Sequence, residues 1–300
     1  MKKYLVTGGA GFIGSHIVDS LVDAGHGVIV IDDESSESHK YFHYNNKAKY
    51  YKYDICDHDL IKGLFNNVDT VFHLAAESRI QPAIENPLKA VMTNAYGTCS
   101  VLQAARESGV RRVVYSSTSS AYGLENKIPN IETQPDDCLN PYSVSKVSGE
   151  KLCKMYSDLF GLETVVFRYF NVYGERQPTR GQYAPVIGLF LEQLKKEQPL
   201  TIVPDGEQRR DFTHVSDVVS ANILASTVKM KKYGEVFNLG TGTNHSVNEL
   251  ADFISKNTVM IEPRVGESRE TLANINKAKT VLGWEPKVIL EQWISEQLNG

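Results

Sequence analysis

The stretch Tyr4-Leu5-Val6-Thr7-Gly8-Gly9-Ala10-Gly11-Phe12-Ile13-Gly14 decides the fold, because it runs a short apolar strand into a glycine-rich turn and then into a helix. That order predicts the first βαβ unit of a dinucleotide-binding sheet. Gly8 turns the chain tightly off the strand, Gly11 lets the backbone approach a pyrophosphate, and Gly14 lets a helix over 12–24 pack closely on the sheet. The unpaired N–H groups at the helix start then meet the phosphate charge. A glycine pattern alone also fits a surface turn, so the residues that follow matter. After Gly25-His26-Gly27 comes a second apolar run, Val28-Ile29-Val30-Ile31, which ends in Asp32 and Asp33. That is the distance at which an acidic side chain meets an adenosine ribose. A carboxylate at Asp32 repels a 2′-phosphate, so NAD is expected rather than NADP.

Composition limits the alternatives. A chain of 300 residues with 41% hydrophobic content can bury a large core. A net charge of −4 gives no global basic field, which argues against a nucleic-acid partner. The four cysteines lack CxxC or Cys/His spacing, so no metal site is expected and reduced thiols in a cytoplasm are. No apolar run approaches the ~18 residues needed to span a membrane.

Further apolar runs at 49–53, 70–74, 112–115 and 164–167 alternate with helical patterns at 57–65, 87–108 and 141–160. Alternation of this kind predicts an α/β fold, a Rossmann-type doubly wound parallel sheet. The polar segment 34–46 reads as a loop over the adenosine end. Beyond Val172 the pattern shifts to short strands, long loops and isolated helices, at 184–197, 216–227 and 246–256. The expected division is a nucleotide domain over 1–173, with 212–238 returning to it, and a smaller C-terminal substrate-binding domain over 174–211 and 239–300.

Tyr142 and Lys146 stand as Tyr-x-x-x-Lys just after Pro141, in the first turn of a helix. Both side chains then lie on one face. A lysine ammonium, with a positive nicotinamide nearby, favours the phenolate and makes the tyrosine a general base. The same spacing also occurs by chance in surface pairs. Here the run Tyr115-Ser116-Ser117-Thr118 supplies a hydroxyl to share the proton.

With these residues in hand, the chain resembles the extended short-chain dehydrogenase/reductase family, and within it the nucleotide-sugar 4-epimerases. The resemblance rests on the glycine turn, Asp54-Ile55, Phe72-His73-Leu74-Ala75-Ala76, Asn94, Ser117-Thr118, Tyr122-Gly123, and Tyr142 with Lys146. It continues through Arg168-Tyr169-Phe170-Asn171-Val172-Tyr173-Gly174 and Arg210-Asp211-Phe212-Thr213-His214-Val215. It implies that Phe12 and Ile13 lie at the cofactor pyrophosphate, Asp32 at the ribose diol, and Asp54 and Ile55 beside the adenine. Leu74, Ala75 and Ala76 would line the crevice, Asn94 would stand near the cofactor, although a lone asparagine could equally cap or bridge buried backbone, and Lys146 would also bind the nicotinamide ribose. On the substrate side it implies that Thr118 pairs with Tyr142, Asn171 contacts a sugar diphosphate, and Arg210 and Arg264 grip it through their rigid forks. Glu267 stands where relatives carry Asp at the uridine ribose. Thr271 borders the pocket beside carbon 2 of the sugar, where a tyrosine would exclude an N-acetyl group. His73 and His214 read as structural. A homodimer is implied, through the helices at 87–108 and 141–160, although their apolar faces would also suit packing within one chain.

The family's first step gives a 4-keto sugar. Its dehydratases carry Asp-Glu immediately after the threonine, and its UDP-xylose-forming decarboxylases a glutamate at the second of those places. Here they are Ser119 and Ser120. The expectation is therefore epimerisation at carbon 4 of UDP-N-acetylglucosamine, UDP-glucose and their C4 epimers. A nucleotide-sugar reductase or dehydrogenase, and a non-catalytic NAD-sensing module, remain as alternatives.

Overall fold

The computed structural model describes residues 1–36, 41–179, 185–262 and 268–299. Its centre is a seven-stranded parallel sheet. Six strands follow in chain order: β1 (Lys3–Thr7), β2 (Gly27–Ile31), β3 (Lys49–Tyr51), β4 (Thr70–His73), β5 (Arg112–Thr118) and β6 (Glu163–Tyr169). The seventh, Glu235–Leu239, pairs with β6 in parallel, and the spatial order runs from it through β6, β5, β4, β1 and β2 to β3. The reversal beside β1 is the switch point at which a doubly wound sheet opens a crevice.

Near-continuous apolar strands are required because both faces are covered. Tyr4 and Val6 of β1 point into a core shared with Ile17, Val18 and Leu21 of the helix Phe12–Asp23 and with Ala221 and Ala225 of the helix Val215–Thr227. Leu5 points the other way, toward Val101 and Leu102 of the helix Thr98–Glu107 and Cys153 and Tyr156 of the helix Pro141–Phe160. A separate apolar cluster unites Phe190, Leu200, Ile202, Leu250, Ile254 and Trp293. It lies beyond the sheet, among the C-terminal elements.

Two sequence expectations change in detail. The helix expected over 57–65 is α-helical only at His58–Ile61 and tightens to a 3₁₀ turn at Lys62–Phe65, where Gly63 weakens the α-helix. The pattern at 87–108 starts as Pro87–Val91, passes through a π turn at Met92–Gly97 and resumes at Thr98–Glu107. The Thr98 hydroxyl donates to the Asn94 carbonyl at 2.6 Å within that turn. π turns commonly accompany functional sites, and this one carries Asn94. An unforeseen short helix, Ile80–Glu85, follows β4.

The long helix Pro141–Phe160 is fixed at both ends. Asn140 Oδ1 accepts from the Ser143 N–H at 2.9 Å in a capping box, and Gly161 ends the helix at φ 69°. Its middle is held to the sheet by buried charge. Arg168 of β6 donates to Glu150 at 2.9 and 2.7 Å and to Asp136 at 2.6 Å, and Glu150 also accepts from Ser117 Oγ at 2.5 Å. Arg168 and Glu150 are both buried. Replacing Arg168 by leucine is expected to cost about 3–5 kcal/mol, because Glu150 is left as an uncompensated buried charge. Urea unfolding measures it, and a loss under about 1 kcal/mol would show that the pair does not hold the helix.

Candidate active site

A cavity of about 520 Å³ opens along the carboxyl ends of the strands. The glycine turn forms its floor. Gly8 has φ +70°, and a Cβ there would lie 2.7 Å from the Ala75 nitrogen. A Cβ on Gly14 would run into the Gly8 carbonyl. Gly11 caps the helix Phe12–Asp23 without any side-chain hydrogen bond, which leaves the first N–H groups of that helix without a side-chain cap, and Phe12 and Ile13 line the cavity. Such a terminus accepts an anion. Asp32 closes this end: Oδ2 accepts from the Ala10 N–H and Oδ1 from the Glu34 N–H, both at 2.9 Å. Burial pushes its carboxyl above the ordinary range against those two bonds. Asp54, Ile55, Leu74, Ala75 and Ala76 line the same space. These residues fit a dinucleotide.

At the other end stand Thr118, Tyr142 and Lys146. Thr118 ends β5, where its oxygen accepts from the Ser120 N–H at 3.1 Å, and its side chain lines the cavity with Tyr142. Burial pushes the Tyr142 phenol up; the nearby Thr118 hydroxyl and the charge of Arg79 oppose that rise. Lys146 stands one helix turn beyond Tyr142; burial lowers it to about 7, and its Nζ lies 4.4 Å over the Tyr115 ring.

Asn94 takes the backbone-bridging place that a lone asparagine offers. It does not line the cavity among the described residues; it is fully buried behind the wall. Its Oδ1 accepts from the Glu77 N–H at 2.8 Å, while Nδ2 donates to the Glu77 carbonyl and to Ser145 Oγ, each at 2.9 Å. With every polar atom so engaged, the side chain is a clasp. His73 is likewise internal. Thr98 gives its proton to Asn94, so it accepts from His73 Nε2 at 2.9 Å, and Nδ1 accepts from Thr7 Oγ1 at 2.7 Å. Burial lowers His73 to about 3 and keeps it neutral.

On the substrate side, Asn171, Arg210 and Thr271 reach the cavity. Asn171 Nδ2 donates to the Asp211 carbonyl at 2.9 Å and to Thr271 Oγ1 at 3.2 Å. Thr271 is therefore tied into the wall and is 8% exposed. The Arg210 guanidinium folds back to the Arg209 carbonyl at 3.0 Å. Arg264 and Glu267 lie outside the described residues. Arg79, on the loop after β4, also lines the cavity. Sequence reading stopped at Ala76, and nothing local in Glu77-Ser78-Arg79 marks a site.

Among the described residues, no cluster of acidic, histidine or cysteine side chains could hold a metal, and no helix is long and apolar enough to cross a membrane.

Comparison with known proteins places this geometry. Residues 4–240 match the NAD dependent epimerase/dehydratase family. A putative UDP-glucose 4-epimerase of Methanocaldococcus jannaschii is 39% identical, over 98% of this chain and 97% of its own. The structure of UDP-glucose 4-epimerase from Thermotoga maritima with UDP-glucose superposes with a TM-score of 0.93 at 37% identity, covering 99% of this chain and 97% of that one. UDP-N-acetylglucosamine 4-epimerase from Methanobrevibacter ruminantium, in complex with UDP-N-acetylmuramic acid, gives 0.91 at 32% identity with the same coverages. The chain belongs to the NAD-dependent epimerase/dehydratase family, and its cofactor is NAD.

Proposed function

We propose that the chain is a UDP-hexose 4-epimerase whose substrates include UDP-N-acetylglucosamine and UDP-N-acetylgalactosamine alongside UDP-glucose and UDP-galactose. The observation that carries this reading is that Thr118 and Tyr142 line one cavity, with Ser119 and Ser120 directly after Thr118 in the chain. Tyr142 takes the proton of the C4 hydroxyl, and Thr118 holds that hydroxyl against it. NAD, when bound, accepts the C4 hydride and returns it to either face. The open N–H groups at Phe12 and Ile13 would hold its pyrophosphate, Asp32 its adenosine ribose, and Lys146 its nicotinamide ribose. Neither Ser119 nor Ser120 offers the carboxylate that eliminating water or losing carbon dioxide needs, so the ketone returns to an alcohol. Asn171 and Arg210 lie where the sugar diphosphate would run, and the relatives named for UDP sugars support that placement.

Thr271 sets the size of the sugar pocket in this reading. Its hydroxyl is held by Asn171, so the small side chain leaves fixed room. Leu88, Val91, Met92 and Tyr96 are exposed at helical spacing, the surface a second copy of the chain would cover in the proposed homodimer. Four free cysteines suit the proposed cytoplasmic setting.

Tyr142→Phe removes one oxygen and little volume. Steady-state assays are expected to show a fall of about 10²-fold or more in kcat with NAD and UDP-sugar binding nearly intact. A variant keeping a tenth of the rate would require another base. Thr271→Tyr is expected to remove activity on the N-acetylated sugars selectively, read as kcat/KM for acetylated and plain substrates. An equal effect on both would exclude Thr271 as the selector.

A further inference from the structure

One carboxylate ties the substrate end of the cavity together without entering it. Asp211 is fully buried and is not among the residues that line the cavity, yet both its neighbours in the chain, Arg210 and Phe212, are. Its Oδ1 accepts from the Thr241 N–H at 2.7 Å and from the Thr241 hydroxyl at 2.8 Å. Its Oδ2 accepts from the N–H groups of Gly242 and Ala273, each at 3.0 Å. These donors offset the cost of burying the charge. The fit is close: a Cβ on Gly240 would lie 2.7 Å from Oδ2.

The backbone of Asp211 carries the same grip to the cavity wall. Its carbonyl accepts from Asn171 Nδ2 at 2.9 Å and its N–H donates to Thr271 Oγ1 at 3.4 Å. Asn171 and Thr271 both line the cavity. Asn171 has φ 32°, a left-handed backbone that persists only where its surroundings enforce it, and the bond to Asp211 is one such restraint. Ala273, held by the carboxylate, stands shortly after Thr271 in the chain. Asp211 thus joins the chain leaving β6, the turn after the strand Glu235–Leu239 and the segment 271–273 at one point. We propose that Asp211 is a positioning residue for substrate affinity, acting through Asn171, Arg210 and Thr271 to hold the wall that receives the sugar diphosphate. This rests on the reading of that wall as the sugar-diphosphate subsite. The clamp bonds neither Thr118, Tyr142 nor the glycine turn, so its loss is felt in binding the UDP sugar rather than in the proton step or in NAD binding.

The test compares variants of the NAD-loaded protein by isothermal titration with UDP and by steady-state rates with UDP-glucose. Asp211→Asn keeps the shape but turns an amide N–H₂ toward donors that need an acceptor. It is expected to raise the Kd for UDP and the KM about tenfold, with kcat and NAD affinity within about twofold of wild type. Thr241→Val removes one donor and leaves the charge, a milder change expected to give about threefold, and it carries the test if Asp211→Asn does not fold. Asp217→Asn is the control. Asp217 is a buried carboxylate outside the cavity lining that accepts from the N–H groups of Lys287 and Val288, each at 3.0 Å, so its loss should lower Tm and leave UDP affinity unchanged. Unchanged UDP affinity in Asp211→Asn and Thr241→Val, an equal loss for UDP and NAD, or the same loss of UDP affinity in Asp217→Asn would overturn the role of Asp211. A wild-type protein that bound NAD but not UDP would instead overturn the sugar-diphosphate reading itself.

Discussion

All strands of a parallel sheet end on one side, and that constraint organises this protein. Loops leaving the carboxyl ends of β1, β2, β4 and β5 converge there, so the glycine turn, Asp32, Ala75 and Thr118 face one cavity although they are far apart in the chain. The close approach of Gly14 to the Gly8 carbonyl seats the first helix against the sheet. That seating aims its open N–H groups at the space where a pyrophosphate is accepted.

The reacting end depends on polar atoms that never reach the cavity. Ala75 N–H donates to Thr7 Oγ1 at 3.2 Å, Thr7 to His73, His73 to Thr98, and Thr98 to the carbonyl of Asn94. Asn94 then grips Glu77 and Ser145. This relay fixes the ends of β1 and β4, the π turn and the start of the long helix relative to one another. Buried polar networks of this kind rigidify a site when every member is satisfied. Lys146 and Tyr142 sit on that frame, each displaced by burial away from its charged form.

Much of this was legible in the sequence. Strand and helix periodicity located the sheet because its strands are buried on both faces and its helices are amphipathic. The helix Pro141–Phe160 was readable to the residue, since Asn140-Pro141 and Gly161 are local start and stop signals. The Tyr-x-x-x-Lys pair lay on that helix and needed only its spacing. Asn94 could be read toward the cofactor or as a bridge to buried backbone, because a lone asparagine does not reveal its partners; Glu77 and Ser145 are contributed by two other elements. Lys146 was recognised as part of the motif, but its lowered charge follows from burial, which spacing does not encode.

The central claim is that the chain inverts carbon 4 by moving one hydride off the sugar and back without net oxidation. UDP-N-acetylglucosamine carrying deuterium at carbon 4, incubated with the NAD-loaded protein in ordinary water, tests it directly through product mass and proton NMR. The account predicts UDP-N-acetylgalactosamine of unchanged mass with the deuterium still at carbon 4. A product lighter by water or carbon dioxide, a stoichiometric release of reduced cofactor, or loss of the label to solvent would contradict it.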